Sequence, residues 1–281
     1  MANVEKKLPQ EDDCTHDCST CGSDCASKSS APETAPLNEN SRVGRVYAVM
    51  GGKGGAGRTT VACLLASLLQ KKGYQTAVLD ADITGPGVPS AFGLSGRITP
   101  SSFGMFPMET ENGTQVISVN LIIPNPTDPV IARGTLVDNT LKKFWSETIW
   151  EDVDVMFVDF PAGTGEVPLS LMRTLPLDGA ILVTTPQELA AMITEKSVKM
   201  AKALKLPAVG LVENMAFYRC PDCGNEHGLF GESRVKALAE RYGIGLTARL
   251  PLDPALTAAM DAGEIESYET NAFDDILNWI G

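Results

Sequence analysis

The sequence predicts an α/β protein: a doubly wound, mostly parallel sheet flanked by helices, with a disordered, cysteine-bearing N-terminal tail. Three observations carry this. Five short runs, residues 46–50, 76–80, 155–159, 180–184 and 208–212, are nearly continuous in apolar residues. Strands of that texture are buried on both faces, which is the condition of a parallel sheet. Helical patterns separate several of them, as crossover connections require. A glycine-rich loop follows the first run directly.

Taken in order, residues 1–40 read as a tail. They hold eight acids and three bases, with Val4, Leu8 and Leu37 as the large aliphatics, and such a stretch cannot bury enough surface to fold alone. Residues 41–281 read as one domain. It begins with the strand at 46–50 and the glycine loop. A helix over 59–72 follows, stopped by Gly73, and leads to the strand at 76–80. Residues 106–123 suggest a hairpin around Asn112-Gly113. After the strands at 155–159 and 180–184, residues 187–205 predict a long helix exposing Lys196, Lys199 and Lys202. Phe273, Ile276, Leu277, Trp279 and Ile280 mark one face of a closing helix.

The 281 residues carry a formal charge of −12, confined to the ends. Residues 250–281 have seven acids and no base, whereas 41–249 have twenty of each. A nucleic-acid surface needs a basic face, and a polybasic membrane anchor needs clustered lysines; neither is expected. No run of 18 apolar residues and no secretory apolar segment are present, so neither a membrane span nor export is expected. Seven cysteines, an odd number, fit a reducing cytoplasm better than a disulfide framework.

Residues 51–60 read Gly-Gly-Lys-Gly-Gly-Ala-Gly-Arg-Thr-Thr. Laid on G-x-x-x-x-G-K-[ST], Gly52 and Gly57 are the glycines and Thr59 the hydroxyl. Backbone N–H groups free of β-carbons close around phosphate oxygens, and the following helix adds its positive end. Gly52, Lys53, Gly54, Gly55, Ala56, Gly57, Arg58, Thr59 and Thr60 are thus the expected ATP-binding loop of a P-loop NTPase fold, with Thr59 offered to Mg²⁺. Asp80, Asp82 and Asp159 fall at strand ends, where ligands bind in such sheets. Asp80 and Asp159 are expected near Mg²⁺, and Asp82 is the candidate for orienting the attacking water. Arg58 stands where the motif has lysine, and its planar fork does not replace a compact ammonium, so the expected ATPase is weak.

Cys220 and Cys223 form a C-x-x-C pair in a loop, half of a four-ligand site. A second chain's pair, His227 with zinc, or a dithiol switch would each complete the chemistry. Cys14, Cys18, Cys21 and Cys25 supply four thiolates in the tail, and so short a run favours an iron–sulfur cluster over zinc. His16 reads as solvated. Cys63, in an apolar stretch, reads as core.

The early Lys53 resembles the deviant phosphate loop of the MinD/ParA superfamily of dimeric ATPases. The order of Gly52-Lys53-Gly54-Gly55, Asp80-Ala81-Asp82-Ile83, Arg133-Gly134, Pro161 with Gly163-Thr164-Gly165, Thr184-Thr185-Pro186-Gln187-Glu188, Val212-Glu213-Asn214-Met215 and Cys220-x-x-Cys223-Gly224 is similar to the Mrp, or ApbC-like, iron–sulfur cluster carriers. The resemblance spans about residues 43–260. It implies that Lys53 reaches the partner's nucleotide, that Asn214 contacts adenine, and that Cys220 and Cys223 bridge a [4Fe–4S] cluster with a second subunit. It further implies a homodimer that passes the cluster to apo iron–sulfur proteins. The chain departs from that family at Arg58, at Gly87 (family Ser) and at Ala162 (family Pro). Two alternatives stand beside it: an ATP-gated electron-transfer protein resembling the nitrogenase iron protein, and a MinD/ParA-like positioning ATPase. Arg58 adds a fourth expectation, a heterodimer with a related, lysine-bearing subunit.

Overall fold

The computed structural model describes residues 34–131 and 134–281. Cys14, His16, Cys18, Cys21, Cys25 and Arg133 lie outside the described residues.

The sheet has eight strands: β1 Val43–Met50, β2 Thr76–Asp80, β3 Met108–Glu109, β4 Gln115–Ile117, β5 Val153–Asp159, β6 Gly179–Thr184, β7 Ala208–Glu213 and, after a small hairpin of β8 Tyr218–Arg219 with β9 Glu226–His227, β10 Leu246–Arg249. Their order is β10-β7-β6-β1-β5-β2-β4-β3, and every pairing is parallel except β3 with β4. The five apolar runs are the five central strands. The turn around Asn112-Gly113 joins β3 to β4, closed by Thr110 N donating to Thr114 O (3.0 Å).

Helix α1 (Arg58–Lys71) connects β1 to β2, moving outward one way along the sheet. Helices α3 (Gly134–Ser146), α4 (Glu166–Thr174), α5 (Glu188–Ala203) and α6 (Val235–Tyr242) connect strands moving the other way. Crossovers are right-handed, so the two sets fall on opposite faces and the sheet is doubly wound. The short α2 (Val88–Ala91), α7 (Pro254–Ala262) and α8 (Asp274–Ile280) join the α1 side through α1–α2, α2–α7 and α1–α8 contacts. Val61, Ala62, Cys63, Leu64, Leu65 and Leu69 of α1 are fully buried, each large side chain contributing roughly 1.5–3 kcal/mol. α8 buries Ile276, Leu277 and Ile280 but leaves Trp279 half-exposed against Tyr47. Lys196, Lys199 and Lys202 are exposed on α5.

The winding reverses between the neighbours β1 and β5. An open α/β sheet binds its ligand at such a switch point, outside the carboxyl ends of the strands. Residues 51–57 and 160–165 occupy that crevice.

Candidate functional site

Why the loop after β1 takes its shape is legible atom by atom. A Cβ on Gly51 would lie 2.6 Å from the Val183 carbonyl oxygen, and one on Gly52 2.4 Å from the Ile193 carbonyl carbon of α5. Gly57 is left-handed (φ 89°), and a Cβ there would lie 2.1 Å from Asn214 Nδ2. These positions bring the loop backbone against the sheet and α5. Gly57 caps α1 without a side-chain acceptor, so the first N–H groups of α1 face the crevice, an anion-binding arrangement.

Around this end stand the charged groups. Thr59 Oγ1 donates to Asp159 Oδ2 at 2.6 Å. Arg58 is buried, with Nη2 3.6 Å from Asp82 Oδ2. Among the buried side-chain atoms with no hydrogen-bond partner, two stand here: Arg58 Nη1 and Asp159 Oδ1. An orphaned cationic donor and an orphaned carboxylate oxygen, side by side at a bare helix end, fit a phosphate and its divalent cation. Asp80 differs from Asp159. Its oxygens accept from Ser118 Oγ (2.9 Å), Asp82 N (3.2 Å) and Val88 N (3.4 Å), so the chain itself occupies that carboxylate. Asp82 accepts from Thr84 Oγ1 (3.1 Å) and Gly85 N (3.2 Å). Burial pushes Asp159 up to about 7, opposed by the Thr59 hydroxyl and the Arg58 charge. Burial and the charge of Asp159 raise Asp80 well above the carboxylate range. Cys63 lies behind this pair, its thiol raised by burial and by both aspartates, as befits a core residue.

Asn214 is engaged by the chain. Its Nδ2 donates to Ala56 O (3.0 Å) and its Oδ1 accepts from Met215 N (2.9 Å). Beside it, Thr60, Met215, Pro251, Leu252 and Leu256 line a cavity of about 160 Å³. Lys53 is exposed at the mouth of the loop. Gly87, a departure from the Mrp pattern, sits where a Cβ would come within 3.3 Å of Thr59 Cγ2, so the smaller residue leaves room beside that methyl group.

The cysteine pair lies elsewhere, on the β8–β9 hairpin. Cys220 N donates to Asn225 O and Gly224 N to Cys220 O (both 2.9 Å), with Gly224 left-handed. This turn aims the backbone N–H groups of Cys223 and Asp222 at the Cys220 sulfur, which lowers its thiol pKa. Cys223 and residues 221–234 are exposed. Among the described residues no group of three His, Cys, Asp or Glu side chains is placed to hold a metal ion, so His227 does not complete a site with the pair.

Sequence reasoning missed β10 and three residues that root the hairpin. Glu213 is buried; its Oε1 accepts from Arg234 N (3.1 Å) and its Oε2 lies 3.5 Å from Arg249 Nε. Phe217 carries the Arg249 and Arg219 guanidinium groups at 5.2 and 5.7 Å from its ring centre. A carboxylate ending an apolar strand run was the available signal for Glu213.

Known proteins share this arrangement. A family model described as the ParA group's NUBPL iron-transfer P-loop NTPase matches residues 42–280. An iron–sulfur cluster carrier protein of Clostridium perfringens is 38% identical over 259 residues, 89% of this chain and 90% of that one. Another from Methanocaldococcus jannaschii is 35% identical over 262 residues, 89% of each. A nucleotide-binding protein of Archaeoglobus fulgidus, solved in complex with ADP, superposes with a TM-score of 0.74 at 37% identity, over 83% of this chain and 91% of that one. The cell division ATPase MinD of Pyrococcus furiosus shares the fold at a TM-score of 0.60 and 20% identity, over 85% and 97%. With a matching family model across the folded body and carriers above 30% identity over most of its length, the chain belongs to the NUBPL-type iron-transfer P-loop NTPase family.

Proposed function

We propose that the protein is an ATP-binding iron–sulfur cluster carrier of the cytoplasm. Two copies hold a [4Fe–4S] cluster between their Cys220 and Cys223 pairs and pass it to apo iron–sulfur proteins. The observation that carries this reading is the hairpin itself: an exposed thiol, Cys223, and a half-buried one, Cys220, on a preformed turn, with no third ligand among the described residues, on a body that belongs to an iron-transfer family. Such a pair is half a site, and a two-fold axis supplies the other half.

The chain's own residues divide the remaining work. The loop 52–60 cradles the phosphates, and Arg58 Nη1 supplies the charged donor. Thr59 and Asp159 hold Mg²⁺, with Asp80 beside Asp159 on the next strand, where the two are register partners. The cavity beside Asn214 receives the adenine. Lys53, exposed at the mouth, reaches the partner's nucleotide. Bound Mg²⁺–ATP supplies binding free energy that favours one dimer arrangement over another, and only by that difference does it alter how tightly the cargo is held. Arg58 keeps Asp82 ion-paired, which makes hydrolysis slow. The tail thiols Cys14, Cys18, Cys21 and Cys25 hold a further cluster.

Anaerobic purification with iron, sulfide and zinc quantified per native dimer tests this. About four irons per dimer mark the bridging cluster alone, and about twelve add one on each tail. Zinc in place of iron, or a cluster-free dimer after reconstitution, sinks the reading. Native mass of the complex separates a homodimer from a pairing with a lysine-bearing relative. Retention of the cluster during ATP-stimulated reduction of an acceptor would favour electron transfer instead.

A further inference from the structure

The cysteine hairpin and the phosphate loop line one cavity from two sides. The excursion 218–233 is rooted at both ends. Ala216 N donates to Leu250 O (2.8 Å) and Leu252 N to Phe217 O (2.7 Å) at its start, and Arg234 N to the buried Glu213 at its close. Beyond β9 the chain makes a tight turn over 228–231, with Gly231 N donating to Gly228 O (3.3 Å). A Cβ on Gly228 would lie 2.8 Å from Gly231 O, and Gly231 has φ 104°, so this turn requires its glycines.

The turn presents Phe230, which is 38% exposed, to the phosphate loop. Phe230 and Met215 line a cavity of about 80 Å³ with Lys53, Gly54, Gly55 and Ala56 of the loop, and Thr185, Gln187 and Ala190 close it. Space for two or three waters is all that separates the two sides, since a water takes about 30 Å³. Gly54 and Gly55 have no atoms within 4 Å of where a Cβ would stand, so this stretch of the loop is open on that side. Phosphate held by the backbone N–H groups of this stretch would set its position relative to Phe230. Met215, left-handed at φ 54°, joins Asn214 to the hairpin.

We infer that Phe230 is a positioning residue that transmits nucleotide occupancy of the loop to Cys220 and Cys223. The inference rests on the carrier reading above, and names the path by which one site regulates the other. Linkage makes the effect reciprocal: whatever the thiols hold alters nucleotide affinity by the same factor.

The test uses the full-length, cluster-free, reduced protein, so failure of cluster binding leaves it intact. Alkylation rates of Cys220 and Cys223 by iodoacetamide are resolved by peptide mass spectrometry, with and without saturating Mg²⁺–ADP and Mg²⁺–ATP. Nucleotide should change the wild-type rate by about fivefold or more, the lower end of site–site couplings. F230A should reduce that ratio to about one, with nucleotide affinity held within about threefold, and F230L should restore most of it. Phe230 lies in an exposed turn, and thermal melts confirm that each variant folds. Three results overturn the proposal: no nucleotide effect in the wild type, an undiminished ratio in F230A, or a nucleotide affinity in F230A more than about tenfold weaker, which would put Phe230 inside the nucleotide site.

Discussion

The phosphate loop and the cysteine hairpin face each other across one cavity, lined by Met215 and Phe230 on the hairpin side, yet they are built on opposite principles. The loop is fixed from beneath: Gly51 and Gly52 press on Val183 and Ile193, and Gly57 on Asn214. Its ordering cost is met during folding, and its orphaned Arg58 and Asp159 atoms await a ligand. The hairpin is exposed over residues 221–234 and has only two short strands, marginal in isolation. It is held at its roots by Glu213, Arg249 and Phe217. A preorganised site can bind as a single chain. An incomplete one, on the proposed reading, would acquire function and rigidity when cargo and a second copy arrive.

If this contrast is right, the sharpest separation comes from Cys220→Ala with Cys223→Ala. Bridging cluster should vanish after anaerobic reconstitution, while Mg²⁺–ADP affinity by calorimetry and the melting temperature stay at wild-type values. Exposed substitutions of this kind change stability by about 0.5 kcal/mol or less. Unchanged bridging iron would break the comparison outright.

Gly57→Ala is the counterpart on the loop side. The new Cβ meets Asn214 Nδ2 and demands a left-handed φ. Nucleotide affinity should fall by about a hundredfold, about 2.7 kcal/mol, while cluster content per dimer persists. Loss of both activities together would mean that the two regions are one cooperative unit.

The same contrast explains what the sequence revealed. β1, β2, β5, β6 and β7 were legible because burial on both faces leaves almost no polar residue in them, and the loop because phosphate binding demands glycines at fixed spacing. β10 was not: Leu246 and Thr247 are half-buried, Ala248 buried and Arg249 exposed, too short a pattern to separate from loop. The aspartates were found as a set, but their division of labour was not. Asp80 is occupied by Ser118, whose part depends on β4 pairing with β2, a contact between residues 38 apart. Phe230 has no local signal, because its meaning comes from a cavity wall that no local pattern encodes.

Arg58→Lys sharpens the loop side further. The guanidinium now pairs with Asp82 while its Nη1 stays unpartnered. A compact ammonium cannot span both tasks, so Asp82 is released toward water. ATP turnover should rise by about tenfold, about 1.4 kcal/mol off the barrier, with nucleotide affinity little changed. Turnover at or below the wild-type rate would show that Arg58 is not the brake.

The smallest effect tests the preorganisation itself, through pH. Asp159 titrates near 7 in the folded chain against 3.8 ordinarily, chiefly because it is buried. The folded state therefore binds more protons than the unfolded one between those values. A raised carboxylate contributes stability that is fully present below the unfolded value and is lost as pH rises through the folded one. The full shift would amount to about 4 kcal/mol. Asp80, raised beside it, shares the proton uptake, so about 1–2 kcal/mol, a few degrees of melting temperature, is the expected share of Asp159 alone. Asp159→Asn has no proton to lose. Its melting curve should flatten between pH 5 and 8, so that the variant gains on the nucleotide-free wild type as pH rises. The hairpin double mutant should keep the wild-type slope, because nothing in the hairpin is buried. Parallel slopes for wild type and Asp159→Asn would show that the crevice is hydrated rather than held dry for a ligand, and the loop would then differ from the hairpin in degree only.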